Sequence, residues 1–104
     1  MSGFERSLQR SALRYLNEQH HTVARCNSAG PGHINGDPDV YGCVRGLMFH
    51  IELKQPEGRL TEAQRYRIDE WRSVGARVYV AHNMDEVRDA WADVANDAAD
   101  YVLL

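Results

Sequence analysis

The stretch Leu47–Lys54, with the sequence LMFHIELK, is mainly apolar and carries two opposite charges at its end. Its composition is typical of a β-strand, in which side chains two residues apart point to the same face. The alternate apolar residues would then point into a core, while Glu52 and Lys54 share the opposite face. Lys54 is the only lysine among the twelve cationic residues of the chain. A lone lysine beside a strand-end carboxylate indicates a chemical role.

A second strand is predicted immediately before this one. Val40–Val44 is followed by the two-residue step Arg45–Gly46 and then by Leu47–Leu53. Two strands separated by a two-residue step that contains glycine are typical of a β-hairpin. Asp39 directly precedes the first strand and Glu52 lies near the end of the second. The hairpin therefore predicts that both carboxylates lie at one end of a sheet.

The rest of the 104-residue chain predicts one domain, residues 1–104, with element order αβββαβα. Strands that alternate with helices favour a mixed α/β sheet covered by helices on both faces. Ser2, Thr61 and Asn83 are the predicted helix N-caps, each followed by Glu or Gln three residues later. The remaining segments are the helix Phe4–Gln19, the strand Thr22–Cys26, the loops Asn27–Pro38 and Gln55–Arg59, the helix Thr61–Ser73, the strand Ala76–Ala81, and a last helix from Asn83 to about Asn96.

Composition excludes few classes of function. The net charge is −3, but residues 84–104 hold six acids and one arginine, so that residues 1–83 carry a net +2. The acidic last helix should therefore face away from any nucleic acid, while the rest of the chain can approach one. No membrane span or secretory signal is predicted. Cys26 and Cys43 form no zinc or redox motif, so we expect a reduced, cytoplasmic setting.

The residue types at the strand end predict a metal site. Mg²⁺ and Mn²⁺ prefer oxygen ligands, commonly one or two carboxylates with water and substrate phosphate. Asp39 and Glu52 can supply the carboxylates, and the Leu53 carbonyl can add a third oxygen. Lys54 is a compact cation that can orient a water molecule or stabilise a charged transition state. This combination is typical of phosphodiester hydrolysis.

These motifs resemble those of the PD-(D/E)xK nuclease superfamily, and of its virus-type replication-repair nuclease (VRR-NUC) branch in particular. The resemblance rests on Gly36-x-Pro38-Asp39 followed by Glu52-Leu53-Lys54, and it extends over roughly Glu5 to Val87. Four further features match that branch: Glu5 early in the first helix, the glycine-rich stretch Asn27–Gly36, Gln64 on the helix after the catalytic strand, and the late strand region Gly75–Val80.

The resemblance implies a restriction-endonuclease-like fold and a Mg²⁺- or Mn²⁺-dependent DNA endonuclease. It adds Glu5 and Gln64 to the catalytic residues Asp39, Glu52 and Lys54, and Glu5 to the metal ligands. It also implies a small stand-alone enzyme similar to Holliday junction resolvases, which acts on branched DNA in repair as a homodimer. Such an enzyme is expected in the cytoplasm of a bacterial cell, encoded by the bacterium or by a phage.

Each assignment has a purely structural alternative. Asp39 could form a turn after proline. Glu52 and Lys54 could be a solvent-facing ion pair on an edge strand, where such pairs contribute little stability. Glu5 and Gln64 could serve only as capping residues. For each of them the capping role and the site role carry similar weight.

The candidate DNA contacts are cationic. The first helix carries an arginine every fourth residue, a stripe that could bind phosphate or simply face solvent. His50 is favoured as a packed histidine over a ligand, and Trp71 and Trp91 are favoured as core residues over base-stacking groups. The predicted DNA-binding residues are Arg6, Arg10, Arg14, His33, Arg59 and Arg65.

The rival function is a non-catalytic DNA-binding or assembly module built on the same fold. Such a module is expected to lack one of Asp39, Glu52 and Lys54, and all three are present. A redox or thiol protein has only Cys26 and Cys43 in its favour, and neither lies in an activating context.

Overall fold

The computed structural model describes residues 2–27, 31 and 34–99. Within them the elements follow the predicted order αβββαβα. Every predicted element is present, and its bounds agree with the prediction to within one or two residues. The helices are α1 (Gly3–Glu18), α2 (Glu62–Ser73) and α3 (Met84–Ala98), and the strands are β1 (Thr22–Cys26), β2 (Val40–Val44), β3 (Leu47–Leu53) and β4 (Val78–Ala81).

The four strands form one mixed sheet in the order β1-β2-β3-β4. The pairs β1–β2 and β2–β3 are antiparallel, and β3–β4 is parallel. The parallel pair requires a crossover connection, which α2 provides. The predicted α/β class with a mixed sheet is confirmed.

Turn geometry sets the register of the hairpin. Arg45 and Gly46 both have positive φ, 47° and 92°, as a two-residue type I′ turn requires. Val44 therefore pairs with Leu47, and the ladder runs on to Val40 opposite Ile51. One further step along this ladder brings position 39 opposite position 52. The short turn thus brings two residues that are 13 positions apart in sequence to the same end of the sheet.

Helices flank both faces of the sheet. On one face, α1 and α3 enclose Phe49, Ile51 and Leu53, which are each fully buried in a cluster with helical residues such as Leu16. On the other face α2 buries Ile68 outside that cluster. None of the described helices is long and apolar enough to cross a membrane.

Local bonds fix the helix ends. The side chains of Ser2 and Asn83 accept hydrogen bonds from the backbone amides of Glu5 and Glu86. Thr61 caps α2 within a complete capping box. The strand β4 begins two residues later than predicted, at Val78. The reason is that the Gly75 and Ala76 amides donate back to the Arg72 and Trp71 carbonyls, which keeps this segment in the turn that follows α2.

Candidate active site

The strand end of the hairpin and the start of α2 meet at one cluster of polar side chains. Asp39 precedes β2, Glu52 and Lys54 come from the end of β3, and Gln64 lies in the first turn of α2. Glu52 is only 1% exposed, whereas Asp39, Lys54 and Gln64 are half-buried. The structure therefore brings these four predicted site residues together. The strand β3 is internal, so that the surface ion pair considered for Glu52 and Lys54 does not describe them.

Glu52 is a carboxylate in an unfavourable environment. Burial raises its pKa to about 9, with a further contribution from the nearby charge of Asp39. Its Oε1 accepts a hydrogen bond of 2.9 Å from the Gln64 amide. Its Oε2 is buried and has no hydrogen-bond partner among the described residues. An orphaned buried carboxylate oxygen is costly for folding unless something else binds it.

Asp39, which directly precedes the neighbouring strand β2, is the second carboxylate of the cluster. Burial raises its pKa, although the Leu53 amide, which donates to Asp39 Oδ2 at 2.9 Å, opposes that shift. The Leu53 amide and carbonyl point to the same side of the strand, so the carbonyl also faces Asp39. Asp39 is therefore oriented by the backbone of the strand that carries Glu52.

Gln64 connects the two charged residues of β3. Its Oε1 accepts from Lys54 Nζ at 3.1 Å and from the Thr61 amide at 3.0 Å, while its Nε2 donates to Glu52. Gln64 is therefore both a capping residue and a neighbour of the site, because the same side-chain amide completes the capping box and contacts Lys54 and Glu52. The helix cap holds Lys54 beside the two carboxylates.

Glu5 approaches the site from α1. Its negative charge raises the pKa of both Asp39 and Glu52, although it contributes less than burial does. It also takes part in the N-cap of α1, where its amide donates to Ser2 Oγ at 3.1 Å. The cap role of Glu5 and its position near the carboxylates therefore coexist.

The arrangement fits a hard divalent cation held by few protein ligands. Among the described residues, no three His, Cys, Asp or Glu side chains lie close enough to form a metal cluster. Two carboxylates and a backbone carbonyl remain, with Glu5 nearby, which is the oxygen set that Mg²⁺ commonly accepts when water and substrate complete its shell. The unpartnered Glu52 Oε2 is the atom that such an ion would satisfy.

Comparison with known proteins places the fold. No family model and no curated protein matches the chain. A solved structure described as "VRR_NUC domain" matches with a TM-score of 0.75 and 22% identity, and covers 88% of this chain and 97% of its own. A second, described as "VRR_NUC domain protein", matches with a TM-score of 0.75 and 19% identity, and covers 88% of each chain.

The chain has the fold of a VRR_NUC domain. The restriction-endonuclease-like fold expected from the sequence motifs is thereby confirmed. In this fold the strand that carries Glu52, with Lys54 directly after it, lies inside the mixed sheet between β2 and β4.

The cationic side chains of this VRR_NUC fold fall into two groups. Five arginines form side-chain hydrogen bonds or salt bridges with other described residues: Arg25, Arg67, Arg72, Arg77 and Arg88. By contrast, five of the predicted DNA contacts are exposed and form no side-chain bond to another described residue: Arg6, Arg10, Arg14, Arg59 and Arg65. They remain available for phosphate. The sixth, His33, lies outside the described residues.

A cavity of about 570 Å³ lies away from this cluster, between α2, β4 and α3. Glu86, Asp89 and Asp93 line it together with Arg72. The three acidic side chains outnumber the single arginine, so the lining as a whole would repel a phosphate backbone. That the acidic last helix faces away from DNA stays a prediction.

Two tryptophans that the sequence treats alike are placed differently. Trp91 packs against the core, and its Nε1 donates to Thr22 Oγ1 at 3.0 Å. Trp71 is 38% exposed and lies outside the core cluster, so the core interpretation is wrong for it. Its ring stacks on His50 with centroids 5.3 Å apart. His50 packs against Trp71, but it is only half-buried and lies outside the core cluster, so the favoured interpretation as a packed core histidine holds only in part. Burial lowers its pKa.

Sequence inspection missed one further contact near Lys54. The His82 ring lies 2.8 Å from the Glu86 carboxylate and 3.2 Å from the Gly58 carbonyl. This contact fastens the loop after Lys54 to the start of α3. The i, i+4 spacing of His82 and Glu86 was a signal for their pairing, but no local pattern pointed to Gly58.

Proposed function

We propose that this chain is a metal-dependent endonuclease of the PD-(D/E)xK type that hydrolyses DNA phosphodiester bonds. The observation that carries the proposal is the buried Glu52 beside Asp39 and Lys54, because its second oxygen has no hydrogen-bond partner in the part of the chain that the structure describes. A purely structural role would leave the energetic cost of this burial unexplained. The nuclease function of the superfamily that the motifs resemble supports the same conclusion.

Mg²⁺ or Mn²⁺ would be held by Asp39, Glu52 and the Leu53 carbonyl. When bound, the ion would lower the pKa of a water molecule and offset charge on the phosphate. Asp39 is kept in orientation by the Leu53 amide. Glu52 is kept in orientation by Gln64.

Lys54 carries the remaining step. Gln64 positions its ammonium group beside the carboxylates, where it can orient the attacking water and neutralise charge that develops on the phosphate. Stabilisation of this kind is strongest where the donor is positioned before the reaction begins. Glu5 lends further negative charge to the site.

The exposed arginines are proposed to bind the DNA backbone. Arg6, Arg10 and Arg14 extend along α1 away from Glu5, while Arg59 and Arg65 lie on the other side of the cluster, just before and within α2. Phosphate contacts of this type position a duplex without reading its sequence. They suit an enzyme that selects branched DNA, such as a Holliday junction in repair, by its shape.

The purified protein is expected to nick supercoiled plasmid in Mg²⁺ or Mn²⁺ and to leave it intact in EDTA, because the carboxylate pair needs the cation. Binding to a labelled four-way junction should persist in EDTA, and a panel of junction, flap, nicked and linear DNA should show preferential cleavage of the branched forms. Gel electrophoresis measures the cleavage, and fluorescence anisotropy the binding. Binding without cleavage in either metal would instead favour the non-catalytic module.

We further propose that the active form is a homodimer. A junction presents two equivalent strands, and a two-fold dimer would match that symmetry with two active sites. Two apolar segments of the sequence are candidates for the interface. The first, the tail of residues 101–104, lies outside the described residues. The second is the Trp91 face of α3, but Trp91 packs against the protein's own core. The dimer proposal therefore rests on the symmetry of the substrate.

Sedimentation at micromolar concentration is expected to give about twice the chain mass of 11.8 kDa. Heterodimers of wild type and Lys54→Ala should then nick one strand of a junction without resolving it. Homodimers of the wild type mixed at the same total concentration are the control. A monomer that cuts both strands in a coordinated way would contradict the proposal.

A further inference from the structure

A second cavity adjoins the proposed active site on the α2 face of the sheet. It measures about 250 Å³, which is below the range of about 300–1,000 Å³ common for sites of drug-sized ligands. A ligand that enters it is therefore limited to a small fragment, such as one ring system. Its lining residues come from the loop before β2, from β2 and β3, and from α2: Asn27, Asp37, Pro38, Tyr41, His50 and Trp71.

The position of this cavity follows from residue spacing. His50 precedes Glu52 by two positions on the same face of β3, a distance of ~7 Å along the strand. Trp71 follows Gln64 by seven positions, or two turns of α2, a distance of ~10 Å along the helix. Asp37 and Pro38, which also line the cavity, directly precede Asp39 in the sequence. The cavity therefore adjoins the carboxylates, and the base of a nucleotide near the cut phosphate can reach it.

The walls of the cavity are flat, aromatic and held in place. Trp71 stacks on His50 at 5.3 Å with the ring planes 30° apart, and its Nε1 donates to Asp37 Oδ1 at 3.2 Å. The ring is therefore fixed on two sides while 38% of the residue stays exposed. Tyr41 pairs with His50 across β2 and β3 and adds a second aromatic side chain. Exposed aromatic surfaces of this kind are stacking platforms for nucleobases.

The polar groups at the rim fit a base better than a phosphate. The Asp37 carboxylate would repel a phosphate, but it can accept a hydrogen bond from a base amino or imino group. The side-chain amide of Asn27 donates a hydrogen bond of 2.6 Å to the Pro38 carbonyl. The side-chain oxygen Oδ1 of Asn27 is a further acceptor. The cavity thus combines aromatic surface with hydrogen-bond acceptors.

We propose that this cavity receives one unpaired base of the DNA strand, close to the phosphate that is cut. The inference rests on the proposed nuclease function and deepens it by naming the feature of the substrate that is recognised. A base can enter only if it leaves its stack, and this costs least where the strand is already unpaired. Junctions, flaps and gaps would therefore be favoured over intact duplex.

The test uses Trp71 as its own probe. The chain has two tryptophans, so Trp91→Phe leaves Trp71 as the single one, and the cavity is unchanged. In EDTA, where no cleavage occurs, a duplex with a single-stranded flap, whose branch point fixes the position of the protein, is expected to quench the Trp71 fluorescence. The matched control is the same DNA with one abasic site in the flap, moved along the strand one nucleotide at a time. Loss of quenching at one or two adjacent positions is expected, and equal quenching at every position would overturn the inference.

Variants of Trp71 supply a second measurement. Trp71→Ala should weaken binding of the single strand roughly 5- to 100-fold, the effect of losing one base–aromatic stack. Trp71→Phe keeps an aromatic ring and should restore most of the affinity, which a mere loss of folding would not allow. Unchanged affinity in Trp71→Ala would overturn the inference.

These outcomes separate the two proposals. Metal-dependent cleavage without any change in Trp71 fluorescence on DNA binding would refute base capture and would still support the nuclease function. Position-dependent quenching without cleavage in any metal would support the cavity and refute the nuclease.

Discussion

Replacing Lys54 by alanine is expected to leave junction binding nearly unchanged and to slow cleavage at least ~100-fold. Loss of a single preorganised donor to a developing charge has an effect of this size. Lys54 Nζ is preorganised in this sense, because it donates a hydrogen bond of 3.1 Å to Oε1 of Gln64, a residue of α2. Single-turnover cleavage in Mn²⁺ at saturating protein measures the chemical step apart from binding.

Two variants show whether charge alone matters at this position. Lys54→Arg keeps the charge but should also cleave poorly, since a planar guanidinium differs in shape from an ammonium and does not readily give up its proton. Arg65→Ala removes a neighbouring exposed cation and should weaken binding more than the rate of cleavage. Near-normal cleavage by purified Lys54→Ala would show that Lys54 is structural.

The hairpin explains why so much of this site could be predicted from the sequence. A two-residue step with glycine permits few turn geometries, and each of them sets the strand register. Once Val44 pairs with Leu47, Asp39 must lie near Glu52. The helix caps at Ser2, Thr61 and Asn83 are equally local, because each bond spans three residues. Local chemistry therefore determines both the elements and the meeting of the two carboxylates.

The depth of burial could not be predicted in the same way. Glu52 was expected near an accessible strand end, and its 1% exposure arises because β4 adds in parallel beyond β3 and α2 covers that pair. The contrast between Trp71 and Trp91 has the same origin. Trp91 lies on α3, which buries four residues in the core, whereas Trp71 lies on α2, which buries only Ile68. Helical periodicity shows which side of a helix is apolar, and it carries no information about how far the opposing sheet extends.

Glu52→Gln is expected to abolish manganese binding and, in metal-free buffer, to make the protein more stable. The metal-binding half of this prediction follows from the loss of one of two carboxylate ligands. Calorimetric titration with Mn²⁺ should give heat for the wild type and little for Glu52→Gln or Asp39→Asn. Glu57→Gln, the same change at an exposed position, is the matched control. Unchanged metal affinity in both site variants would refute the ligand assignment.

The stability half follows from burial. Burial raises the pKa of Glu52 to about 9, above the value of about 4.3 expected in the unfolded chain. Between these pH values the folded state retains a proton that the unfolded state has released, so that this group makes the protein less stable as the pH rises. Glutamine does not titrate, and the advantage of Glu52→Gln should grow from pH 5 to pH 9.

An effect of about 1–3 kcal/mol near pH 8 is expected, the usual cost of a buried polar group left unsatisfied. For a domain of this size it corresponds to a rise in melting temperature of about 4–8 °C for each kcal/mol. Saturating Mn²⁺ should reverse the order, since a ligand that binds only the folded wild type stabilises it by about 2.7 kcal/mol at 100 times its Kd. If Glu52→Gln melted below the wild type in EDTA at every pH, Glu52 would be a structural residue. A crossover of the two melting temperatures on addition of metal would instead mean that the fold gives up stability at Glu52 in order to bind a cation there.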